Sequence, residues 1–188
     1  VEKVIYASTS EVYGSALYTP IDEEHPLNAP HPYGGSKIAA DRMCNAYVTT
    51  YGMNIMMLRF FNIFGPKQRA LGYGGVISIF TRRILNGQAP IIFGDGSQTR
   101  DYMYVEDAVK GYDLAMKYEG TLKGPINLGT GKEVSINDIA TKLIALCGRQ
   151  NDIKPVHVEP RIGEVKRLIA DFDKETKHED DHCGCQAS

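Results

Sequence analysis

The sequence predicts an α/β fold built on a parallel sheet, and the start of the chain carries that prediction. Val4–Ala7 is an apolar run suited to a buried strand. Residues 33–51 follow with a helical pattern that Gly52 can end as a C-cap, and residues 54–61 form a second apolar run. A strand, a helix and a second strand in this order are typical of two parallel strands joined by a right-handed crossover.

Strand and helix patterns also alternate through the rest of the chain. We expect helices at 76–85 and 106–118, and short strands at 90–93, 102–105, 126–129 and 156–158, of which the last is the final strand of the chain. A more regular helix is expected after Ser135, a good N-cap residue with Asp138 three positions later. Gly148 ends the apolar face of that helix.

The composition is that of an ordinary globular domain. A chain of 188 residues is long enough to bury a core. Its net charge of −2 gives no electrostatic reason to expect nucleic acid or an anionic membrane as a partner. No apolar run approaches the ~20 residues that a membrane-spanning helix needs. The four cysteines do not form a disulfide framework, so we expect a cytoplasmic protein.

Two residues at the start of the first predicted helix suit proton transfer. Tyr33 and Lys37 lie four positions apart, which places both side chains on one face of a helix, one turn apart. An ammonium group near a phenol favours the phenolate and makes tyrosine a useful acid or base near neutral pH. The same spacing also occurs often at exposed helix starts, so the pair gains weight only from its surroundings.

A polar segment follows the first strand and indicates a binding site there. Thr9, Ser10 and Glu11 come directly after the Val4–Ala7 run. Loops at the carboxyl ends of parallel strands form the ligand crevice of such sheets, so these side chains are candidates to hold an oxygen of a ligand. The alternative is that the hydroxyls only satisfy backbone groups in a turn.

Five ordered blocks of sequence resemble the extended short-chain dehydrogenase/reductase family of nucleotide-sugar epimerases and dehydratases. They read STSEVYG, PYGGSK, RFFNIFGP, FGDGSQTRDYMYVEDA and INLGTG, and the resemblance covers Val4 to about Asp173. Each block alone is weak, but five in this order are a specific signal. The resemblance implies a Rossmann-type doubly wound parallel sheet, a small α/β substrate-binding domain, an NAD cofactor and a nucleotide-sugar substrate. It also implies a homodimer in an intact family member.

The resemblance assigns catalytic and cofactor roles to residues of these blocks. Thr9, Tyr33 and Lys37 resemble a triad in which the tyrosine exchanges the proton of the sugar 4-hydroxyl, the lysine binds the nicotinamide ribose and the threonine orients the sugar oxygen. Glu11 is a further catalytic candidate. The residues expected to contact NAD are Ala7, Ser8, Thr9, Tyr33, Lys37 and Phe61.

The resemblance also identifies residues expected to hold the nucleotide sugar. They are Thr9, Tyr33, Asn62, Val76, Ile91, Ile92, Phe93, Arg100, Arg161 and Glu164. Asn62 resembles a position that contacts the diphosphate, and residues 91–93 resemble the strand beside the nucleotide base. Arg100 and Arg161 resemble arginines that bind the diphosphate and nucleotide, a task that suits guanidinium groups because their donors bind phosphate oxygens in pairs. The alternative for each arginine is a solvated surface charge.

The sequence departs from the family pattern at its beginning. In the family, the turn G-x-x-G-x-x-G follows the first strand and holds the cofactor pyrophosphate at a helix N-terminus. No such pattern follows a strand here, so we expect residues 1–64 to be a partial Rossmann domain that bears the catalytic helix. Residues 65–173 are expected to be mainly the nucleotide-sugar-binding domain, with about 97–118 returning to the Rossmann part.

This departure has two expected consequences. The Val4–Ala7 strand is expected to expose one flank of its sheet. The chain by itself is expected to bind NAD poorly, because pyrophosphate and ribose contacts are lost. These expectations keep open the alternative of a noncatalytic relic that retains only the nucleotide-sugar pocket.

Residues 174–188 are expected to form a flexible tail, because they are charged and lack apolar periodicity. The tail contains His178, His182, Cys183 and Cys185. Their spacing fits no standard zinc pattern, so the sequence predicts no metal site.

The resemblance leaves three reactions open. The trio Thr9-Ser10-Glu11 occurs in hexose 4,6-dehydratases and UDP-glucuronate decarboxylases, whereas simple 4-epimerases tolerate many residues at positions 10 and 11. The stretches PYGGSK and IDEEHPL resemble 4-epimerases of the UDP-glucose type, and residues 30–32 lack the arginine that decarboxylases carry before the tyrosine. We therefore favour 4-epimerisation of a UDP-hexose. A 4,6-dehydratase of the dTDP-glucose or GDP-mannose type comes second and a decarboxylase third.

Overall fold

The computed structural model describes residues 1–70, 74–120, 124–161, 163 and 165–171. Four α-helices lie in these ranges: α1 (Pro32–Tyr51), α2 (Val76–Leu85), α3 (Val105–Lys117) and α4 (Ile136–Leu146). The strands are β1 (Val4–Thr9), β2 (Ile55–Phe60), β3 (Asn62–Phe64), β4 (Ile91–Phe93), β5 (Thr99–Tyr104), β6 (Pro125–Leu128), β7 (Glu133–Ser135), β8 (Val156–Val158) and β9 (Arg167–Leu168). A short 3₁₀ helix, Ser10–Val12, follows β1 directly. Of the helices in the described ranges, none has an apolar stretch of the length that crossing a bilayer requires.

The centre of the fold is the parallel sheet that the sequence predicts. β1 and β2 pair in parallel from Val4↔Ile55 to Thr9↔Phe60, and β6 pairs in parallel with the other side of β2. Every residue of β2 is buried, as expected of a parallel strand covered on both faces. Within the described residues the order is β1-β2-β6, so β1 lies at an edge of this sheet, as predicted.

The remaining strands form a four-stranded sheet and a two-stranded sheet. β5 pairs in parallel with β3 and β9, and antiparallel with β7. β4 pairs in parallel with β8. An apolar core lies among α2, α4 and β4, and it includes Phe80, Ile84, Ile92, Ala140 and Ile144. A separate core packs α3 against the central sheet.

The structure departs from the strand predictions in two places. The strand predicted at 54–61 is β2, but a further strand that was not predicted, β3, follows it in a different sheet, because Phe61 interrupts the pairing of β2 and donates its N–H to Leu128 O at 2.9 Å. The strand predicted to be the last, Val156–Val158, is followed by β9. β9 has only two residues, too few to show a period, and it exists because β5 offers it a pairing edge.

Local capping explains where the helices begin and end. At the start of α4, Ser135 Oγ accepts a hydrogen bond from Asp138 N at 3.0 Å, as predicted. At the start of α1, His31 Nδ1 accepts from Gly34 N at 3.1 Å. Gly52 ends α1 in the left-handed conformation, with φ of 64°. The limits predicted for α1, α2 and α3 therefore differ from the observed ones by at most one residue at each end.

A buried polar network joins α1 to the central sheet. Arg59 Nε donates to Asp41 Oδ2 at 2.8 Å, and Arg59 Nη1 donates to the Tyr13 hydroxyl at 2.9 Å. That hydroxyl donates to Asn127 Oδ1 at 2.6 Å, and burial raises the pKa of Tyr13 to about 12. All four side chains are buried, so the network holds α1 and the segment after β1 in fixed positions on the sheet.

Candidate functional site

A cavity of about 980 Å³ opens between β3, β4, β5 and α2. Glu11, from the 3₁₀ helix, and Arg161, which follows β8, complete its wall. The wall contains these residues predicted from the family resemblance: Glu11, Asn62, Val76, Ile91, Ile92, Phe93, Arg100 and Arg161. The fold therefore brings together side chains that lie as many as 150 positions apart in the chain.

The cavity carries positive charge. Among the described residues of its wall, Glu11 is acidic and four others are arginines, namely Arg82, Arg83, Arg100 and Arg161. The guanidinium carbon of Arg161 lies 3.9 Å from the centroid of the Phe93 ring, a stacked cation–π contact. Arg100 Nη1 donates to Thr99 O at 2.8 Å, which fixes that guanidinium beside the cavity. Such a wall favours an anionic ligand.

Two polar side chains of the wall have no hydrogen-bond partner within the described residues. The buried atoms are Asn62 Nδ2 and the Tyr102 hydroxyl. These residues are paired across β3 and β5. Burial, opposed by the nearby Arg100, raises the pKa of Tyr102 to about 12. Tyr102 is not among the site residues predicted from the sequence. The feature of the sequence that could have identified it is its position, two residues after Arg100.

The predicted catalytic residues lie where β1 ends and α1 begins. Lys37 Nζ donates to Ala7 O at 2.8 Å. Thr9, the last residue of β1, accepts at Oγ1 from Glu11 N at 3.3 Å. Tyr33 is 54% exposed. Thr9, Tyr33 and Lys37 do not line the cavity. Glu11, whose N–H donates to Thr9, does belong to the cavity wall.

Gly34 permits the close approach of α1 to this segment. It is buried, and a Cβ at this position would lie 2.5 Å from Ala29 Cβ and 2.8 Å from Glu11 O. A larger residue would push the first turn of α1, which carries Tyr33, away from the end of β1.

His31 binds Glu11 across 20 positions of sequence, a contact that no local pattern predicts. His31 Nε2 lies 2.9 Å from Glu11 Oε2. Since His31 Nδ1 accepts the N–H of Gly34, we assign the proton of the neutral ring to Nε2, which donates to the carboxylate. The His31 ring also stacks on Tyr33, with centroids 6.3 Å apart. His31 thus joins the start of α1 to the cavity wall.

The residues predicted to contact NAD lie along β1, in the first turns of α1 and just beyond β2. The Ala7 carbonyl accepts from Lys37. Ser8 is buried, and its hydroxyl has no partner within the described residues. Phe61 is also buried. A buried hydroxyl without a partner fits a contact with a bound group, so this end of the sheet is compatible with the nicotinamide end of NAD.

One predicted substrate residue, Glu164, lies outside the described residues. So do the tail positions His178, His182, Cys183 and Cys185, for which the sequence predicts no metal site. In the part of the chain that the structure describes, no three His, Cys, Asp or Glu side chains are grouped to hold a metal ion.

Comparisons with known proteins connect this arrangement to a family. Residues 1–129 match the NAD dependent epimerase/dehydratase family. A UDP-glucose 4-epimerase of Mycolicibacterium smegmatis is 34% identical over 174 residues, which are 91% of this chain and 54% of that protein. A dTDP-D-glucose 4,6-dehydratase of Dictyostelium discoideum is 34% identical over 154 residues, which are 76% of this chain and 35% of that protein.

A solved structure shares the fold. The crystal structure of UDP-glucose 4-epimerase from Thermotoga maritima, with UDP-glucose, matches with a TM-score of 0.87 and 34% identity. The match covers 94% of this chain and 57% of that one, so the chain spans about half the length of such relatives. The range that matches the family model includes Thr9, Tyr33 and Lys37. The chain therefore belongs to the NAD-dependent epimerase/dehydratase family.

Proposed function

We propose that this protein is a NAD-dependent nucleotide-sugar epimerase, acting at C4 of a UDP-hexose. The observation that carries the proposal is the arginine-lined cavity, whose wall includes Glu11, two positions after Thr9 at the end of β1. The relatives in Mycolicibacterium smegmatis and Thermotoga maritima, both UDP-glucose 4-epimerases, support the same reaction.

The cavity suits a nucleoside diphosphate. Its volume of about 980 Å³ is large enough for a nucleotide sugar. Arg100 and Arg161 supply planar donors for the phosphate oxygens, and Asn62 adds an amide donor. Ile91 and Ile92 provide an apolar wall for the base.

Tyr33 moves the proton in the proposed reaction. In its phenolate form Tyr33 takes the proton of the sugar 4-hydroxyl, and the resulting phenol later returns a proton to the same oxygen. Thr9 orients that oxygen from the end of β1. Because Tyr33 is 54% exposed, a substrate can reach its hydroxyl.

The bound cofactor supplies hydride transfer at C4. Lys37, held by the Ala7 carbonyl at 2.8 Å, is placed to bind the ribose. Ser8 and Phe61 are the residues that would hold the nicotinamide end, and the partnerless Ser8 hydroxyl supports this assignment.

A 4,6-dehydratase, of the dTDP-glucose or GDP-mannose type, is the second candidate. Glu11 favours it, because this carboxylate lies in the cavity wall next to Thr9, where a base can remove a proton from C5 of the sugar. The Dictyostelium discoideum relative, a dTDP-D-glucose 4,6-dehydratase, also supports it. The bond from His31 to Glu11 argues for the epimerase, since it occupies one carboxylate oxygen. A UDP-glucuronate decarboxylase ranks third.

We also propose a homodimer. α1 exposes Met43, Tyr47 and Tyr51, with 60%, 43% and 71% of their surfaces accessible. Exposed apolar side chains grouped on one helix are typical of surfaces that association buries.

The separate cores of the central sheet and of α2 with α4 support a division into two domains, at 1–64 and mainly 65–173. The segment at about 97–118 belongs to the first domain, and so does β6, which pairs with β2. A cytoplasmic location agrees with the free thiols of Cys44 and Cys147.

Product analysis tests the reaction. The protein is incubated with NAD and, separately, UDP-glucose, dTDP-glucose, GDP-mannose and UDP-glucuronate, and the products are identified by NMR. Formation of UDP-galactose from UDP-glucose supports the proposal. Formation of a 4-keto-6-deoxy sugar would show that the protein is a dehydratase and not an epimerase. Release of CO₂ from UDP-glucuronate would show that it is a decarboxylase. No turnover, together with no NAD binding by calorimetry, would indicate the noncatalytic relic.

A further inference from the structure

We propose that His31 is a positioning residue of the reaction: through its bond to Glu11, it fixes Tyr33 of α1 relative to Thr9 of β1. The inference rests on the proposed function, because Thr9 and Tyr33 act in that reaction. His31 is not among the site residues predicted from the sequence, and this role requires no contact between its ring and the substrate.

The proposed reaction requires Thr9 and Tyr33 to meet at one atom. Tyr33 exchanges the proton of the sugar 4-hydroxyl, and Thr9 orients the same oxygen. Thr9 is the last residue of β1, whereas Tyr33 is the second residue of α1, so the two side chains depend on different elements. Because a misplacement of about 1 Å can slow a reaction strongly, these two elements need a fixed relative position.

A chain of contacts joins the two elements and passes through His31. Glu11 N donates to Thr9 Oγ1 at 3.3 Å, and Glu11 Oε2 lies 2.9 Å from His31 Nε2. The His31 ring stacks on Tyr33, with centroids 6.3 Å apart and an angle of 20° between the ring planes. His31 Nδ1 also accepts from Gly34 N at 3.1 Å, which fixes the ring to the first turn of α1. Both nitrogens of one imidazole are therefore engaged where the two elements meet.

Backbone contacts already hold these elements together, so His31 contributes to their alignment and not to their association. Asn28 N, ahead of α1, donates to Val12 O at 3.1 Å. A Cβ at Gly34 would lie 2.8 Å from Glu11 O, so the two backbones are in close contact there. Loss of the imidazole should therefore leave α1 docked on this segment and release only the side chains that the ring holds.

The test separates the bond to Glu11 from the helix cap. His31→Asn keeps a good N-cap residue, but its side chain is too short to hold the Glu11 carboxylate. The wild type and the variant are assayed with NAD for conversion of UDP-glucose to UDP-galactose, and UDP is titrated into both by calorimetry. We expect kcat to fall about 10-fold to 100-fold, because Tyr33 is no longer aligned with the sugar oxygen. UDP affinity should stay unchanged, since the arginines of the cavity wall are untouched.

A double-mutant cycle tests whether His31 acts through Glu11. Glu11→Ala removes the partner of the imidazole, and the double variant His31→Asn with Glu11→Ala should have a kcat close to that of the slower single variant. His157→Asn is the matched control, because His157 Nδ1 lies 2.9 Å from Gly94 O at an exposed position outside the cavity wall. It should keep the wild-type kcat and UDP affinity.

Four outcomes contradict the inference in distinguishable ways. A kcat in His31→Asn within about two-fold of the wild-type value overturns it and leaves the proposed function standing. Losses of kcat and of UDP affinity by the same factor overturn it as well, because they indicate a general distortion of the cavity. Losses of kcat that multiply in the double variant overturn it too, since His31 and Glu11 would then act independently. Absence of turnover in the wild type overturns the proposed function and the inference with it.

Discussion

The guanidinium of Arg161 lies over the ring of Phe93, with 3.9 Å between the guanidinium carbon and the ring centroid. The two residues are 68 positions apart. They meet because β4, which ends at Phe93, pairs in parallel with β8, which ends at Val158 just before Arg161. The stack holds a positive charge flat against the cavity wall, where the proposed nucleotide binds.

Arg161→Lys should weaken UDP binding about 10-fold, as measured by calorimetry. Lysine keeps the charge but loses the planar group that stacks on Phe93 and binds phosphate oxygens in pairs. Arg149→Lys serves as the control, because Arg149 pairs with Asp152 on the surface, away from the cavity. Wild-type affinity in Arg161→Lys would show that charge alone matters at this position.

Arg59→Met should lower the free energy of unfolding by about 3–5 kcal/mol, as measured by urea denaturation, because it leaves the buried Asp41 carboxylate without its charged partner. The double variant Arg59→Met with Asp41→Leu should recover part of this loss, since it removes both charges. Arg149→Met, which breaks an exposed ion pair, should lower it by less than about 1 kcal/mol. A loss below 1 kcal/mol in Arg59→Met would contradict the structural role of the buried pair.

His31→Ala should lower the free energy of unfolding by about 1 kcal/mol, because the first turn of α1 loses its N-cap. His31→Asn should retain most of the stability, since asparagine is a good N-cap residue but is too short to replace the whole contact with Glu11. Urea denaturation of both variants measures the difference. Equal stability of the wild type and His31→Ala would mean that the cap does not stabilise α1.

Glu133 should make the protein sensitive to acid. Hydrogen bonds from Arg167 lower the pKa of Glu133 below its ordinary value of 4.5. A carboxylate whose pKa is lower in the folded protein than in the unfolded chain stabilises the fold at pH values above its ordinary pKa. That stabilisation is lost as the pH falls through the lowered pKa of the folded protein. In urea denaturation across this range, Glu133→Gln should be less stable than the wild type near neutral pH, and the difference should shrink on acidification.

Glu2→Gln, at an exposed position, controls for the general effect of removing a carboxylate. A stability difference between the wild type and Glu133→Gln that does not change with pH would contradict the assigned role of the Glu133–Arg167 pair.

Much of the fold follows from signals that act over a few residues. α4 begins after Ser135 because the side chain of that residue caps Asp138 N, and α1 ends where Gly52 takes a left-handed conformation. The apolar runs of β1 and β2, with a helical pattern between them, sufficed to predict their parallel pairing. Eight residues of the cavity wall were predicted from the family resemblance, which names positions and leaves their catalytic and binding roles as predictions.

Only the folded chain decided which distant residues meet. The break at Phe61 between two sheets, the pairing of β9 with β5, the bond from His31 to Glu11 and the register of Asn62 with Tyr102 have no local signal. Apolar periods and caps depend on neighbours a few positions away, so they can be read along the chain. A strand edge can pair with many other strands, and a carboxylate can bind many donors. The packing of distant parts of the chain decides which of these partners lies within reach.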